Sequence, residues 1–446
     1  RLQLMTITIL QQAYQEVLKI ADPQLALPIV LEKYFPNGYQ GNCLVVGAGK
    51  ASASMADAFE KYTLRNWPKA NIYGHVVTRY GHEVKEIAYS ARIDISQASH
   101  PVPDQAGVDS CKAILQLLED LNCDDICVVL LSGGGSSLLP LAMGNIGLPT
   151  VQKLTAELLR CGAPIEEINT VRKHISAIQG GRLAQTARAR GAKVFAFIIS
   201  DVIGDQASDI ASGPCAADPS TFDDAMSILE KYNLQNNIEI IDVIHHIQNG
   251  QKGMVRETLK PDDKILEGVS NDVFATALKG LESAADYCRS LGYEVFLLGD
   301  RISGESNEFA KDHAKTIQNT ISTTQFNKIA WISGGETVVT LPQGVKGRGG
   351  RCSEFLLSLL KETINVDGLS ALAADTDGID GSENNAGAFF NTAIKKRLLD
   401  QELNIDHYLE SHDAYGFFKE LDALLVTGPT LTNVNDFRIV LWDRNE

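Results

Sequence analysis

No apolar run in this chain is long enough to cross a bilayer. Stretches such as Ile126–Leu131 fall far short of the ~20 residues a helical span needs. No basic-then-apolar segment opens it either, so the sequence predicts a cytoplasmic protein. It lacks any basic tract, and its formal net charge is −16, from 40 Lys and Arg against 56 Asp and Glu. That balance argues against non-specific binding to nucleic acid or to an anionic membrane. Metal-site cysteine spacing is also missing. There are eight cysteines, but Cys123 and Cys127 are too far apart for a Cys-x-x-Cys pair and no His pair accompanies them. Free thiols in a reducing compartment are expected. There is no internal repeat and no low-complexity tract.

What is present suits a globular enzyme. At 446 residues the chain exceeds one ordinary core, so two domains are expected. Its 44% apolar and 22% charged content is ordinary for a packed protein. Short apolar strands alternate with helical periodicity. Strands are predicted at Cys43–Val46, Ile72–Thr78, Ile126–Leu131 and Lys193–Ile199. Helices are predicted at Thr8–Ala21, Gln24–Tyr34, Ala51–Tyr62, Val108–Leu121, Thr150–Arg160, Gly181–Arg190 and Asp223–Tyr232. Ile165–Val171 reads as a loop. This alternation predicts an α/β fold, a parallel sheet with helices on both faces.

The polar stretch Asn233–Asp263 reads as the domain transition, giving domains of residues 5–245 and 246–422. A second α/β series follows. It comprises a long helix over Asn271–Leu291, a strand at Glu294–Leu298 and a helix over Glu305–Ser322. Strands follow at Lys328–Ile332 and Thr337–Leu341, then a helix over Arg351–Lys361 and a strand at Ser370–Ala374. Ala423–Val426 and Arg438–Trp442 close the chain as strands.

The chemistry sits in glycine-bearing loops, most of them directly after a strand, where an open α/β sheet places its ligand. Gly47-Ala48-Gly49-Lys50 puts bared N–H groups and a cation at a helix start, which suits a phosphate or carboxylate. It is not a Walker sequence, and Ser52 replaces the third glycine of a dinucleotide fingerprint. The run Ser132, Gly133, Gly134, Gly135, Ser136, Ser137 can wrap phosphate oxygens with successive N–H groups. Ser136 is no hydrolase nucleophile, because the second glycine of the elbow is absent. Arg172 and Lys173 can clamp a carboxylate, with a solvated basic face as the plain alternative.

Asp201 and Asp205 flank Gly204; either can bind Mg²⁺ or accept a proton, and either can be turn chemistry. Asp375, Asp377 and Asp380 form a second acidic loop with the same two readings. Glu336, after Ser333-Gly334-Gly335, is a candidate metal ligand. Arg348 and Arg351 lie in a glycine run opening a helix, where an arginine can neutralise a transferring phosphoryl group. His100, between Ser99 and Pro101, can touch substrate, but a packed loop histidine is the favoured reading.

Taken in order, these segments resemble the glycerate 2-kinase family, the class with a C-terminal MOFRL domain. Gly-Ala-Gly-Lys-Ala-Ser, Ser-His-Pro-Val-Pro-Asp, Leu-Ser-Gly-Gly-Gly-Ser-Ser, Val-Arg-Lys-His-Ile-Ser and Ser-Asp-Val-Ile-Gly-Asp carry the first half. Ile-Ala-Ser-Gly-Pro, Ser-Gly-Gly-Glu-Thr, Gly-Arg-Gly-Gly-Arg, Asp-Thr-Asp-Gly-Ile-Asp-Gly and Thr-Gly-Pro-Thr-Leu-Thr-Asn-Val-Asn-Asp carry the rest.

The resemblance implies ATP- and Mg²⁺-dependent phosphorylation of the 2-hydroxyl of D-glycerate, giving 2-phosphoglycerate. It also implies a larger Rossmann-like domain, a smaller α/β domain, and a ligand cleft between them. The chain end, residues 423–446, is expected to return to the first domain. Lys50 and Arg351 carry over as catalytic cations and Ser132–Ser137 as a phosphate cradle. Asp201 is then a candidate base; Asp205, Glu336 and Asp377 are candidate metal ligands.

Two departures stand out: Cys352-Ser353 where the family carries Asn-Gln, and Cys215 where it carries Thr. They leave a kinase for a related 2-hydroxy acid as an alternative. An NAD(P)H-dependent hydroxypyruvate reductase is another, but no acidic residue stands about twenty positions beyond Gly49 to hold a ribose. The oligomeric state, monomer or homodimer, is left open by the sequence.

Overall fold

The computed structural model describes residues 2–82, 92–345 and 347–445, with side chains from residue 5 onward. They form two compact units, Pro23–Phe274 and Arg1–Asp22 with Ala275–Glu446. Among the described residues no helix is long and apolar enough to cross a membrane. All eight cysteines are free thiols.

The unit Pro23–Phe274 is built on six strands: β1 (Gly41–Ala48), β2 (Ala70–Arg79), β3 (Ile93–Ala98), β4 (Ile126–Leu131), β5 (Lys193–Ile199) and β6 (Val269–Ala275). Their order is β3-β2-β1-β4-β5-β6, the order of doubly wound dinucleotide-binding folds. β1 pairs in parallel with β2 and β4, β2 with β3, and β4 with β5. Every residue of β4 is buried, as a strand covered by helices on both faces requires. Leu44, Val46, Val129 and Leu131 pack with Ile114, Leu118, Leu183 and Ala187 from the helices Gln105–Glu119 and Arg182–Ala189.

A separate helical cluster joins Leu154, Leu158, Ile168, Val171, Ile175, Phe222, Leu229, Val243, Ile244 and Ile247. It corrects two expectations. Residues 165–171 are not a loop but part of the helix Ile165–Ile175, whose Ile168, Val171 and Ile175 recur at three- and four-residue steps. Within the polar stretch 233–263, Ile241–Gln251 is a helix of the same kind.

The second unit carries β7 (Glu294–Leu297), β8 (Ile302–Glu305), β9 (Lys328–Val338), β10 (Leu369–Asp375), β11 (Gly387–Phe390), β12 (Leu424–Leu425) and β13 (Asp436–Asp443). Its sheet runs β12-β11-β10-β13-β9-β7, with β8 also on β9. β13 is antiparallel to both β10 and β9, and β7 and β8 lie parallel to β9.

The domain expectation therefore changes in three places. The chain end does not return to the first unit, because β13 is an interior strand of the second sheet. The N-terminal helix Leu2–Ala21 belongs with that second unit: Tyr14 Oη donates to Asp375 O at 2.9 Å, and Thr432 Oγ1 to Ala21 O at 2.7 Å. The boundary falls at Phe274, not residue 245, since β6 extends the first sheet.

Two local expectations also fail. Asn271–Leu291 divides into β6 and the helix Ala277–Ser290, because Thr276 caps that helix by accepting from Lys279 N. Lys328–Val338 is one strand, continuous through Gly334-Gly335. Gly335 sits at φ +114°, and a Cβ there would lie 2.2 Å from Ile302 O, so glycine lets the strand pass.

Candidate active site

β1 and β4 are neighbours where the strand order reverses, and their carboxyl ends carry the first two glycine loops. Main-chain bonds join those loops. Ser132 N donates to Ala48 O at 3.1 Å, Lys50 N to Gly133 O at 2.9 Å, and Ala51 N to Ser132 Oγ at 2.9 Å. Gly49, at φ +140°, and Gly134, at φ +82°, hold conformations that a side chain resists. The space above them is filled by named groups. A Cβ on Gly49 would stand 2.1 Å from Ser132 Oγ, and one on Gly133 would stand 1.7 Å from Asp201 Oδ2. One on Gly134 would lie 3.0 Å from His100 Cδ2 and 3.5 Å from Lys50 Cγ. Lys50, His100, Asp201 and the Gly133–Gly134 backbone, from four separate segments, thus converge.

His100 also reports the local field. Burial, then the charges of Lys50, Arg79, His82 and Arg172, push it down to about 4. A neutral imidazole therefore sits amid cations at neutral pH. His100 is a member of this cluster, and Arg79, whose charge acts on it, is another with no sequence signal.

The Arg172 charge acts on His100, which places it in this cluster, and burial pushes its guanidinium down from its ordinary value. Lys173 does not belong to it. It is buried and faces Asp218, with Nζ 3.7 Å from Oδ1. Successive residues of the helix Ile165–Ile175 point about 100° apart, so the two cations serve different surroundings. Asp205, at φ +54°, closes a turn through its N–H to Val202 O at 3.1 Å. The loop ends in a single helical turn, Gly135–Leu138, with Ser136 Oγ 2.7 Å from Ser212 Oγ.

The second unit holds the other charged group. Arg351 Nε donates to Asp436 Oδ1 at 2.7 Å, Nη2 to Asp375 Oδ2 at 3.0 Å and Nη1 to Glu336 Oε1 at 3.1 Å. Burial works against its charge, but Asp436 and Asp375 outweigh that and raise its pKa. Asp375 is itself pushed well up by burial, then by Asp377 and Asp436. The other oxygen of Asp436 is held by Arg438, which is fully buried, its Cζ 5.5 Å from the ring centroid of Phe309 and 5.3 Å from that of Phe355.

Glu336, expected as a metal ligand, is thus engaged by Arg351. Asp377 forms an Asx turn, accepting from Ile379 N at 2.9 Å. Among the described residues, no group of three or more His, Cys, Asp or Glu is arranged to hold a metal. Asp436 was missed as a site residue, although it ends the Thr427–Asp436 motif.

The departures at Cys352 and Ser353 are buried and form a helix cap. Asp380 accepts from Cys352 N at 3.0 Å, Ser353 N at 2.8 Å and Ser353 Oγ at 2.6 Å, and Asn385 Nδ2 donates to Ser353 Oγ at 3.1 Å. Burial, against those bonds, raises Asp380 to about 6. Cys215 is also buried.

Two family models match the chain: "Domain of unknown function (DUF4147)" over residues 9–246 and "MOFRL family" over residues 329–436. Glycerate 2-kinase of Pyrococcus horikoshii is 35% identical over 96% of this chain and 95% of its own. A protein of Agrobacterium vitis bearing a hydroxypyruvate reductase name is 40% identical over 97% of this chain and 94% of its own. The crystal structure of glycerate kinase from Thermotoga maritima superposes with a TM-score of 0.85, at 34% identity, over 99% of each chain.

Proposed function

The chain belongs to the glycerate 2-kinase family with a C-terminal MOFRL domain, and we propose that it transfers the γ-phosphoryl group of ATP to the 2-hydroxyl of D-glycerate. The observation that carries this reading is the cradle at Gly49 and Gly133–Gly134, with Lys50 and Arg172 beside it. Glycine carries no side chain to shield its own N–H group from a phosphate oxygen, and the cations suit an anionic ligand.

The residues divide the chemistry as follows. The Gly47–Lys50 and Ser132–Ser136 loops hold phosphate, and Lys50 offsets charge on the group in transfer. Arg172 meets the acceptor carboxylate. Asp201, seated against Gly133, takes the proton of the 2-hydroxyl. His100, neutral at pH 7, adds no charge of its own. Arg351 is the second catalytic cation, and Asp436, Asp375 and Glu336 fix its orientation.

Mg²⁺ usually takes one or two carboxylates together with substrate phosphates, so a three-carboxylate cage is not required. Asp205 in the first unit, or Glu336 and Asp377 in the second, would supply hard oxygen donors of that kind. When bound, the ion screens phosphate charge.

A reductase is the second reading, favoured by the name of the Agrobacterium vitis relative. The two separate in one assay. The kinase reading predicts ADP release that depends on D-glycerate, with no oxidation of NADH or NADPH by hydroxypyruvate. Cofactor oxidation without ADP release would reverse the assignment.

A further inference from the structure

Ala48 ends β1, paired on one side with Val77 of β2 and on the other with Leu131 of β4. One step beyond those partners stand Thr78 and Ser132, so a hydroxyl flanks the Gly49–Lys50 turn from each side. Both residues are buried, Thr78 completely. They act in opposite senses. Thr78 Oγ1 faces Gly49 O at 3.1 Å and Lys50 O at 3.4 Å; carbonyls only accept, so this hydroxyl donates. Ser132 Oγ accepts from Ala51 N at 2.9 Å. Lys50 N donates to Gly133 O at 2.9 Å, and Gly49 N to Val77 O at 3.1 Å. The two peptide groups that flank the Lys50 Cα are therefore each held at both C=O and N–H. With those N–H groups engaged, this loop meets phosphate through the Lys50 ammonium. The Lys50 side chain runs toward Gly134, where a Cβ would lie 3.5 Å from its Cγ.

We propose that Thr78 is a positioning residue for Lys50 and that, working opposite Ser132, it sets the direction in which the ammonium meets the transferring phosphoryl group. Thr78 touches no substrate itself, because it is fully buried. Its hydroxyl acts through the main chain: it holds the carbonyls on either side of the Lys50 Cα, which fixes the bond from which the side chain departs. This rests on the kinase reading above and deepens it by naming what holds the catalytic cation. The benefit is geometric, since misplacing a catalytic group by ~1 Å can cost ~10²-fold in rate. A Thr78 lacking its hydroxyl leaves the two carbonyls without that donor, and the turn is then free to settle differently.

The test measures kcat and KM, with ATP, Mg²⁺ and D-glycerate, for Thr78→Val and Thr78→Ser, each made in the full chain and in Lys50→Ala. Valine keeps the branched shape and removes the donor, whereas serine keeps the donor. Thr78→Val should lower kcat by about 10- to 10²-fold and leave KM for D-glycerate in place, because Arg172 meets the acceptor from another element. Thr78→Ser should recover most of the loss. In Lys50→Ala, Thr78→Val should lower the residual kcat no further, since residues that act as a unit are not additive. An equal loss in both backgrounds is what general damage to the fold would give, and it overturns the proposal. So does an unchanged kcat in Thr78→Val. If Thr78→Val does not fold, Ser132→Ala removes the other half of the clamp, and the same cycle with the same outcomes is read on it. Absence of D-glycerate turnover by the wild type removes the kinase reading itself, and this proposal with it; wild-type turnover with an additive Thr78→Val removes this proposal alone.

Discussion

The group at Gly49, Gly133 and Gly134 takes its shape from glycine backbone with side chains packed close against it, whereas the group at Arg351 is held by ion pairs between side chains. The first group is defined by positive φ at Gly49 and Gly134 and by what a Cβ would strike. The second is defined by one guanidinium with three carboxylates within 3.1 Å, one of them, Asp436, fully buried. A backbone cradle keeps its shape through sterics, so losing a nearby cation should harm chemistry and spare the fold. A buried ionic nest depends on every partner, so losing one should harm both.

The largest effect should come from breaking the nest. Arg351→Ala leaves Asp436 and Asp375 without their shared guanidinium, and unfolding in urea should show a loss of about 3 kcal/mol together with lost turnover. Arg351→Lys should recover part of the stability but little activity, because an ammonium cannot replace the fork. An unchanged urea midpoint for Arg351→Ala would contradict the nest.

Next, Lys50→Ala should lower kcat by ~10²–10³ while holding the urea midpoint, since a charge-stabilising group is lost from a site whose shape is main chain. Near-normal turnover would sink its role. Gly134→Ala tests the cradle itself. A φ of +82° and a contact at 3.0 Å to His100 Cδ2 should cost about 1–3 kcal/mol, read as weaker ATP binding by calorimetry. Unaltered ATP affinity would argue against a phosphate contact there.

His100 gives a pH signature. Its folded pKa of about 4 lies below the ordinary 6.5, so between those values the unfolded chain binds the proton more readily. Stability from this group is complete above pH 6.5 and falls toward pH 4, by at most about 1.4 kcal/mol per pH unit. His100→Asn should flatten that part of the stability–pH curve; an identical slope would exclude the histidine as its source. The smallest effect is expected from Lys173→Met. Its partner is Asp218, so kcat/KM should stay within about threefold, under 1 kcal/mol of transition-state stabilisation.

The sequence exposed the cradle more fully than the nest, for a physical reason. Phosphate loops sit at strand ends within short segments, so Gly47–Lys50 and Ser132–Ser137 show both spacing and context. Arg351, Asp375, Glu336 and Asp436 are brought together by the pairing of β13 with β9 and β10, which no local pattern encodes. The same pairing places the chain end in the second sheet, against expectation. Ile165–Ile175 was legible in principle, since Ile168, Val171 and Ile175 follow helical steps, but Pro164 and the polar residues among them favoured a loop.

The most direct measurement is phosphorus NMR of the products formed from ATP, Mg²⁺ and D-glycerate. The account predicts ADP and 2-phosphoglycerate, with formation of the latter abolished or severely slowed in Lys50→Ala. Accumulation of 3-phosphoglycerate, or of no phosphorylated acid while hydroxypyruvate oxidises NADH, would contradict it.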